Sequence, residues 1–361
     1  FADGKFNQLG DLVKVRTEAS LPFGGRYRLI DFTLSNMVNS DITNVAIITQ
    51  KNYQSLMDHI GSGKEWDLSR KYGGVVIFPP YSGYRSSGIF NNSIDALHDI
   101  LGYIKKINEE DVILTTCDSV DILDYSKVLR KHNKNNADIT IVYRNVDNEE
   151  VKNNDLVLDI NESFEVTNAQ FGVKKDVNNV AIGTFVIKKD LLINILEIAI
   201  SKGATSFEQE FIVGNIGKLK MVGFVHDGTY LLIDSLNSYY QTNMSLLDED
   251  VRSEVLLSTP LYTKVKDSAP TKYGIDCKVK NSFIADGCII DGIVENSILF
   301  RGVKISKGTK VKNCILMQDT VVLENVELNS VITDKNVKIS AHQKLSGSAK
   351  LPYYIGKGMD I

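Results

Sequence analysis

Glycines and arginines near the start of the chain have the types and spacing needed to bind an anion. Arg16 lies in a short basic segment, and a Pro-Phe-Gly-Gly turn at Pro22–Gly25 is followed by Arg26 and Arg28. A glycine turn leaves backbone N–H groups free to face an anion, and a helix N-terminus favours negative charge. Arginine adds a planar guanidinium group that matches phosphate oxygens. The stretch therefore indicates phosphate chemistry, although a tight turn and solvated surface arginines would account for the same residues.

A carboxylate just after an apolar run is the second candidate for chemistry. Residues 112–115 (Val-Ile-Leu-Thr) predict a short strand, and Asp118 follows it. Open α/β sheets bind ligands outside the carboxyl ends of their strands. Asp118 is therefore a candidate ligand of magnesium or of a sugar phosphate. A strand-end cap is an equally good interpretation of the same residue.

Alternating strands and helices must position these residues. Apolar runs predict strands at 45–48, 75–78, 112–115, 139–143 and 181–187. Apolar residues at helical spacing predict helices at 53–60, 95–107, 125–132 and 190–200. The segment 146–170 is rich in Asn, Asp and Glu and predicts hairpins or loops. This order predicts an α/β domain with a mostly parallel sheet and helices on both faces.

A different periodicity begins near residue 276. Apolar residues recur about every five or six positions between Ile293 and Val337, with glycines at the turns between them. Short β-branched strands at that period predict a parallel β-helix of hexapeptide repeats, and a small β-sandwich is the alternative. The preceding segment, 248–275, is polar and turn-rich and predicts a linker. The domains are therefore expected at 1–247 and 276–361.

Composition and charge exclude several classes of function. The chain has 361 residues and a formal net charge of −4, so no basic excess points to nucleic acid or to an anionic membrane surface. No apolar run reaches the roughly 20 residues that span a bilayer, and no signal-peptide pattern is present. The four cysteines have neither paired spacing nor metal-ligand spacing. We therefore expect a cytoplasmic protein with free thiols.

Three motifs resemble those of the bacterial glucose-1-phosphate adenylyltransferases (ADP-glucose pyrophosphorylases). They are Pro22–Phe32 with Leu34-Ser35-Asn36, His59–Gly63 with Trp66-Asp67-Leu68, and Asp124–Lys127. The resemblance runs over nearly the whole chain and implies a Rossmann-like nucleotidyltransferase domain followed by a left-handed parallel β-helix. In that family, ATP and glucose 1-phosphate give ADP-glucose and pyrophosphate for glycogen biosynthesis, with Mg²⁺ as the cofactor.

The resemblance also implies the positions of a ligand pocket and an effector site. The residues at the corresponding pocket positions are Gly4, Gln8, Gln50, Ser93, Asp95 and Gly183. Asp118 matches the aspartate of the family's Gly-Asp-His, which makes it the catalytic and Mg²⁺-binding candidate. Arg16 and Arg28 match basic positions around the family's anionic effector site.

The nucleotide loop departs from the family pattern. The family reads Gly-Gly-x-Gly-Thr-Arg-Leu, where this chain has Asp3–Leu9. Phe6 places a ring where glycine allows close approach of the triphosphate, and Gln8 is neutral where the family has a charged arginine. Glu18 places a repulsive carboxylate near the triphosphate, where the family has a lysine. Since losing one charged donor commonly slows phosphoryl transfer by about two to five decades, we expect weak or absent catalysis.

The acidic and basic groups of the family's active site are also incomplete. An ungapped alignment places Leu232 where the family has a second magnesium-binding aspartate, and leucine offers no oxygen to a hard cation. Asp234 lies close by in the sequence. The family's Glu-Lys-Pro motif, whose lysine is implicated in sugar-phosphate binding, is missing, and Lys174 and Lys175 lie nearby in a different context.

These departures favour a regulatory, GlgD-type subunit that modulates a catalytic glucose-1-phosphate adenylyltransferase subunit in a hetero-oligomer, with a heterotetramer implied by the family. A homo-oligomer of this chain alone remains open. One alternative is an active sugar-nucleotide pyrophosphorylase that has rearranged its loop and recruited Lys5, Asp227 or Asp234. Another is a stand-alone module that senses sugar phosphates or nucleotides. Neither nucleic acid nor a membrane is expected as a partner.

Overall fold

The computed structural model describes residues 1–3, 7–50, 52–80 and 92–361, with only the backbone described at residues 7 and 8. The helices are α1 (Leu29–Asn39), α2 (Gln54–Ile60), α3 (Ser93–Asp99), α4 (Leu101–Ile104), α5 (Tyr125–Lys134), α6 (Lys189–Ser201), α7 (Leu236–Ser245) and α8 (Glu249–Leu257). Short 3₁₀ segments occur at Asn7–Val13, Glu18–Ser20, Lys64–Trp66 and Val213–Asn215, and a π-helical turn at Glu208–Ile212. No helix in these ranges is both long enough and apolar enough to span a membrane.

Twelve strands precede the β-helix in the described ranges. They are β1 (Pro22–Phe23), β2 (Tyr27–Arg28), β3 (Asn44–Ile48), β4 (Gly74–Phe78), β5 (Asp111–Leu114), β6 (Ser119–Asp121), β7 (Ile139–Val146), β8 (Leu156–Ile160), β9 (Val166–Phe171), β10 (Asn178–Lys188), β11 (Met221–Val225) and β12 (Tyr230–Leu232). The expected alternation of strands with helices is confirmed, and so is a hairpin, β8–β9, within 146–170.

The direction of pairing around β10 adds an antiparallel strand to the expected mostly parallel sheet. β10 is antiparallel to β5, β7 and β8, whereas β3–β4 and β7–β11 are parallel. β10 lies between β7 and β8 and also pairs with β5, so β5, β7 and β8 run in one direction and β10 runs in the other. At the start of the chain, the Phe1 amine donates to the Thr115 carbonyl at 2.7 Å, and the Ala2 amide donates to the Ile48 carbonyl at 2.9 Å. Residues 1–3 are thereby held between the ends of β3 and β5.

Two other boundaries differ from those expected. The helix expected over 95–107 is divided into α3 and α4 at Ile100, beside Gly102, and both a β-branched residue and a glycine lower helix propensity. The expected linker 248–275 begins with α8. The side chain of Asp248 caps this helix by accepting a hydrogen bond from the Asp250 amide at 3.0 Å. Val255, on the same helix, is buried in the core.

The C-terminal region is a parallel β-helix, as expected. Its strands are β13 (Lys272–Tyr273), β14 (Lys278–Lys280), β15 (Phe283–Ile284), β16 (Ile289–Ile290), β17 (Ile293–Glu295), β18 (Ile298–Leu299), β19 (Lys304–Ile305), β20 (Lys310–Lys312), β21 (Ile315–Leu316), β22 (Val321–Val322), β23 (Glu327–Asn329), β24 (Val331–Thr333), β25 (Lys338–Ile339), β26 (Lys344–Ser346) and β27 (Tyr353–Ile355). Every third strand belongs to the same sheet, so three five-stranded parallel sheets form the walls. Val294, Val311 and Leu328 occupy equivalent positions and fill the interior.

One apolar core joins the two domains. Phe23 and Phe32 of the first domain belong to the same buried cluster as Phe300 and Met317 of the β-helix. Polar bonds reinforce this contact: the hydroxyl group of Tyr240, in α7, donates to the Asn313 carbonyl at 2.7 Å. The β-helix is therefore packed directly against the glycine-arginine stretch and the helix that follows it.

Candidate functional site

A continuous cleft lies beyond the ends of β3 and β5. Two adjoining cavities of about 330 and 470 Å³ form it, and Thr116, Gly183, Phe185, Ser206 and Glu208 line both. We call the smaller cavity, which contains Asp118, the Asp118 half, and the larger one the Gln50 half.

Asp118, the catalytic and metal candidate from the sequence, lies on the wall of the cleft. Its side chain is largely buried, and the Thr116 hydroxyl donates to Asp118 Oδ1 at 2.6 Å. The next strand, β6, pairs antiparallel with β12, which sets Ser119 opposite Leu232. Leu232 itself lines the cavity. The residue beside Asp118 on the neighbouring strand is therefore apolar.

The residues present do not fit a two-carboxylate magnesium clamp. Mg²⁺ needs oxygen ligands, and Leu232 supplies none next to Asp118. Asp234 is held by an ion pair with Lys152 and by the Ser238 hydroxyl, which donates to Asp234 Oδ1 at 2.9 Å. Across the described ranges, no group of three or more His, Cys, Asp or Glu side chains could hold a metal ion. No catalytic step through a metal is therefore assigned to this cleft.

The predicted pocket residues divide into those that meet in the cleft and those that do not. Gln50, Ser93 and Gly183 line the Gln50 half. Asp95 instead belongs to the start of α3, where its amide donates to Asn92 Oδ1 at 2.9 Å and its carboxylate accepts from Asn92 Nδ2 at 3.2 Å. Gly4, Lys5 and Phe6 lie outside the described residues, as does the side chain of Gln8.

Gly183 has a structural reason to be glycine. Its φ angle is +76°, and a Cβ atom there would lie 3.1 Å from Thr116 Oγ1. The pairing of β10 with β7 shifts register between Ala181 and Phe185, so this glycine sits at an irregularity of the strand. Such bulges redirect the backbone beside active sites. Here the irregularity brings bare backbone to the junction of the two halves.

Sequence reasoning missed the basic side chains of the Asp118 half. Arg144, at the end of β7, donates to Glu150 Oε2 at 3.0 Å, and its guanidinium lies 5.3 Å from the centre of the Tyr230 ring. Lys152 forms its ion pair with Asp234. The available signal was their position, with Arg144 at the end of an apolar strand and Lys152 in the polar segment that follows. Lys175, considered from the sequence, instead pairs with an aspartate of the β8–β9 hairpin.

The electrostatic balance of the Asp118 half is acidic. Among its described lining residues, the carboxylates are Asp118, Glu150, Asp155 and Glu208, and the cations are Arg144 and Lys152. Burial raises the pKa of Tyr230 well above its ordinary value, and the charges of Asp118 and Asp121 add to the increase. Burial alone would raise the pKa of Asp234, but hydrogen bonds from Lys152 and Ser238 outweigh it and lower that pKa. The cavity therefore does not favour a phosphate-rich ligand.

A second cavity, of about 200 Å³, lies between the domains, and we call it the interdomain pocket. The cations that line it are Arg26, Arg28, Lys264, Lys266, Arg301 and Lys335. Asp58 is the one carboxylate among its described lining residues. The Pro22–Arg28 stretch and α2 supply one wall, and turns of the β-helix, with Lys264 and Lys266 of the segment that precedes it, supply the other. The pocket is therefore strongly basic, and both domains build it.

Three cations of this pocket are held in partly desolvated positions. Arg28 Nη1 donates to the Ser55 carbonyl at 2.6 Å, and burial lowers the pKa of Arg28 to about 10. Burial, with the nearby charges of Arg28 and Arg16, lowers the pKa of Lys335 to about 7. Arg301 is 8% exposed; its Nε donates to Asp286, while its buried Nη2 has no hydrogen-bond partner among the described residues. A buried donor without a partner is costly, and an anion would satisfy it.

Arg16, which the sequence predicted at the effector site together with Arg28, supports the wall of the interdomain pocket. Its Nη2 atom donates to Asp334 Oδ1 at 2.6 Å, and both side chains are buried. The Tyr354 hydroxyl donates to Asp334 Oδ2 at 2.8 Å. Asp334 precedes Lys335, so the pair fixes the β-helix wall of the interdomain pocket. Arg28 lines the cavity, whereas Arg16 lies behind the cavity wall and stabilises it through Asp334.

Comparison with protein families matches both halves of this architecture. The nucleotidyl transferase model matches residues 1–249, and the model described as GlmU-like, C-terminal hexapeptide matches residues 268–349. A nucleotidyl transferase domain followed by hexapeptide repeats is therefore confirmed.

Individual relatives narrow the assignment. The chain is 36% identical to the glycogen biosynthesis protein GlgD of Bacillus subtilis (strain 168), over 98% of this chain and 93% of that protein. It is 36% identical to GlgD of Geobacillus stearothermophilus, over 84% and 79%. Identity to the glucose-1-phosphate adenylyltransferase of Clostridium perfringens (strain 13 / Type A) is 31%, over 89% and 83%. The chain belongs to the nucleotidyl transferase family, in the group that contains the glucose-1-phosphate adenylyltransferases and the GlgD proteins.

Proposed function

We propose that this chain is a regulatory, GlgD-type subunit in glycogen biosynthesis, with weak or no adenylyltransferase activity of its own. It associates with a catalytic glucose-1-phosphate adenylyltransferase subunit in the cytoplasm and changes that subunit's activity. The observation that carries the proposal is the opposite charge of its two sites. The cleft is acidic and has a leucine beside its aspartate, whereas the interdomain pocket is basic and intact.

The described part of the cleft is poorly suited to adenylyl transfer. The family reaction places a triphosphate and a sugar phosphate together, and Mg²⁺ when bound neutralises their charge. Leu232 removes one metal ligand, and four carboxylates face two cations that are already paired within the chain. In the sequence, Phe6 and Gln8 replace a glycine and an arginine of the family loop. Each change opposes binding or stabilisation of a polyanion.

The interdomain pocket has the properties of an anion receptor. Arg28 and Lys335 supply charge from the two domains, and the unpartnered Nη2 of Arg301 supplies a donor that a phosphate oxygen would satisfy. A cavity of about 200 Å³ suits a small phosphorylated metabolite. We infer that this pocket binds the effector.

The Arg16–Asp334 ion pair connects the interdomain pocket to the nucleotide loop. Arg16 follows the Asn7–Val13 segment, which begins within the Asp3–Leu9 loop, and its partner Asp334 precedes Lys335. The Lys335 amide also donates to the Asp334 carboxylate at 2.6 Å. An anion bound to Lys335 therefore acts one residue from the contact that holds the loop-bearing segment.

Pyrophosphate release tests the proposal. It is measured with ATP, Mg²⁺ and glucose 1-phosphate for the purified chain, for a catalytic glucose-1-phosphate adenylyltransferase from the same organism, and for the mixture. We expect no appreciable turnover by the chain alone, a heteromer on gel filtration, and altered kinetics in the mixture. Robust turnover by the chain alone would favour an active enzyme with a rearranged loop. A stand-alone sensor would give neither a heteromer nor a kinetic change.

A further inference from the structure

The segment between β7 and β8, residues 147–155, forms part of the wall of the Asp118 half, and we call it the strap. Two turns give it a defined shape: the Glu150 amide donates to the Asp147 carbonyl at 3.0 Å, and the Lys152 amide donates to Asp155 Oδ2 at 2.9 Å. Val151 is buried in a small apolar cluster, while its neighbours Glu150 and Lys152 line the cavity. The strap is thus anchored at its centre and presents one carboxylate and one ammonium group to the cleft.

Both charged groups of the strap are paired across the cavity wall. Glu150 accepts from the Arg144 guanidinium on β7, and Lys152 donates to Asp234 just after β12. Ser238, at the start of α7, holds the other oxygen of Asp234. Arg144 and Lys152 are the two cations among the described residues that line this half. Each is therefore occupied by a carboxylate of the chain itself.

We propose that the strap is an autoinhibitory element that closes the Asp118 half to phosphate-bearing ligands. Glu150 occupies Arg144 in the way a ligand phosphate would, and the Lys152–Asp234 pair holds the strap in place. A phosphate entering this half has to displace Glu150 from Arg144, or separate Lys152 from Asp234, before it meets an available cation. This inference concerns access to the cleft and goes beyond the regulatory function, since it holds for a catalytic or a non-catalytic chain.

The size of the effect follows from exposure. Side-chain exposure is 51% for Glu150 and 49% for Lys152, and partly exposed ion pairs are weak. Releasing one pair is therefore expected to change ligand affinity by about fivefold, not by orders of magnitude. A phosphate-bearing ligand is therefore expected to be able to displace the strap.

Calorimetric titration of the full chain with glucose 1-phosphate tests the proposal. Glu150→Gln frees Arg144, and Asp234→Asn frees Lys152 while keeping an oxygen for Ser238. We expect each variant to bind about fivefold more tightly than the natural chain. The matched control is Asp159→Asn, which removes a similar pair with Lys175 on the β8–β9 hairpin, away from the cleft. If the two test variants bind no more tightly than this control, the proposal fails.

A second variant separates strap closure from simple loss of negative charge. Lys152→Gln combined with Asp234→Asn breaks the pair without changing the net charge. We expect hydrogen–deuterium exchange at residues 147–155 to quicken at least several-fold, with unchanged exchange in the β-helix. Exchange in the strap equal to that of the natural chain would overturn the proposal. Neither measurement uses turnover, so their outcome is separate from the test of the regulatory function.

Discussion

The cleft and the interdomain pocket carry opposite charges, although the first 28 residues contribute to both. In the cleft, the Asp118 half is lined by more carboxylates than cations, and its cations are paired internally. The interdomain pocket has six cations against one carboxylate among its described lining residues, and one of its donors is unpartnered. The same fold therefore provides an acidic cavity that disfavours phosphates and a basic cavity that favours an anion. The contrast is what the proposed regulatory function predicts, with an effector site in the interdomain pocket and weak or absent catalysis in the cleft.

The largest expected effect comes from breaking the buried Arg16–Asp334 ion pair, which joins the two domains behind the interdomain pocket. Arg16→Ala leaves the buried Asp334 carboxylate without its cation, because both side chains are at most 2% exposed. Breaking such a pair commonly costs about 3–5 kcal/mol. Urea denaturation measures the loss in the free energy of unfolding.

The exposed pair Arg70–Asp67 supplies the control for this prediction. Arg70→Ala at that site should cost less than about 1 kcal/mol, since Asp67 is 80% exposed. Equal losses for the two variants would show that Arg16 does not brace the pocket, and would weaken the proposed path between pocket and loop.

Rebuilding the cleft is expected to have the next largest effect. Phe6→Gly, Gln8→Arg and Leu232→Asp together restore a close backbone approach, a charged donor and a second metal ligand. Because one charged donor to a phosphoryl transition state is worth about two to five decades, pyrophosphate release should rise by about a hundredfold or more. The same variant without Leu232→Asp should gain much less. No gain in either variant would place the defect outside these three positions.

Removing single cations from the interdomain pocket should weaken anion binding. Arg301→Gln and Lys335→Gln each remove a charged donor, and such bonds contribute about 1.5–3 kcal/mol, or roughly ten- to a hundredfold in affinity. Sulfate titration by calorimetry measures the effect. Lys307→Gln on the exposed surface of the β-helix should leave affinity unchanged. Equal effects of all three substitutions would mean that sulfate responds only to net charge.

The smallest expected effect is a pH dependence of the same binding. The pKa of Lys335 lies at about 7 in the folded chain, below its ordinary value, because burial and neighbouring arginines disfavour its charge. Affinity for sulfate, whose charge is constant in this range, should fall by several-fold between about pH 6 and pH 8. Lys335→Gln should flatten the profile.

The same group affects stability in the opposite direction. Above pH 7 the unfolded chain keeps the Lys335 proton that the folded chain releases. Because the unfolded state then binds more protons, this group makes the free energy of unfolding rise from about pH 7 to about pH 10.

A sulfate affinity independent of pH in the natural chain would contradict the pKa of about 7 for Lys335.

The sequence predicted the architecture and part of the cleft. Hydrophobic period separated the α/β domain from the β-helix, and Asp118, singled out by its position after a strand, lines the cleft. Periodicity could not predict the antiparallel pairing of β10, because strand direction depends on the connection between strands. Nor could it predict the division of the helix at Ile100, where local backbone geometry decides.

Charge pairing across long sequence distances was the main feature that the sequence did not reveal. Arg16 and Asp334 are 318 residues apart, and Lys152 and Asp234 are 82 apart. Only the fold brings such partners together, so Arg16 looked like an open effector ligand. The interdomain pocket is likewise lined by Arg301 and Lys335 from the β-helix. In the sequence, these two residues resemble ordinary surface residues.

A crystal structure determined with ATP, Mg²⁺ and sulfate present tests the central claim most directly. The account predicts sulfate bound between Arg28, Arg301 and Lys335, and no metal ion coordinated in the cleft. ATP seated in the Gln50 half, with a magnesium ion held by Asp118 and a second carboxylate, would contradict it.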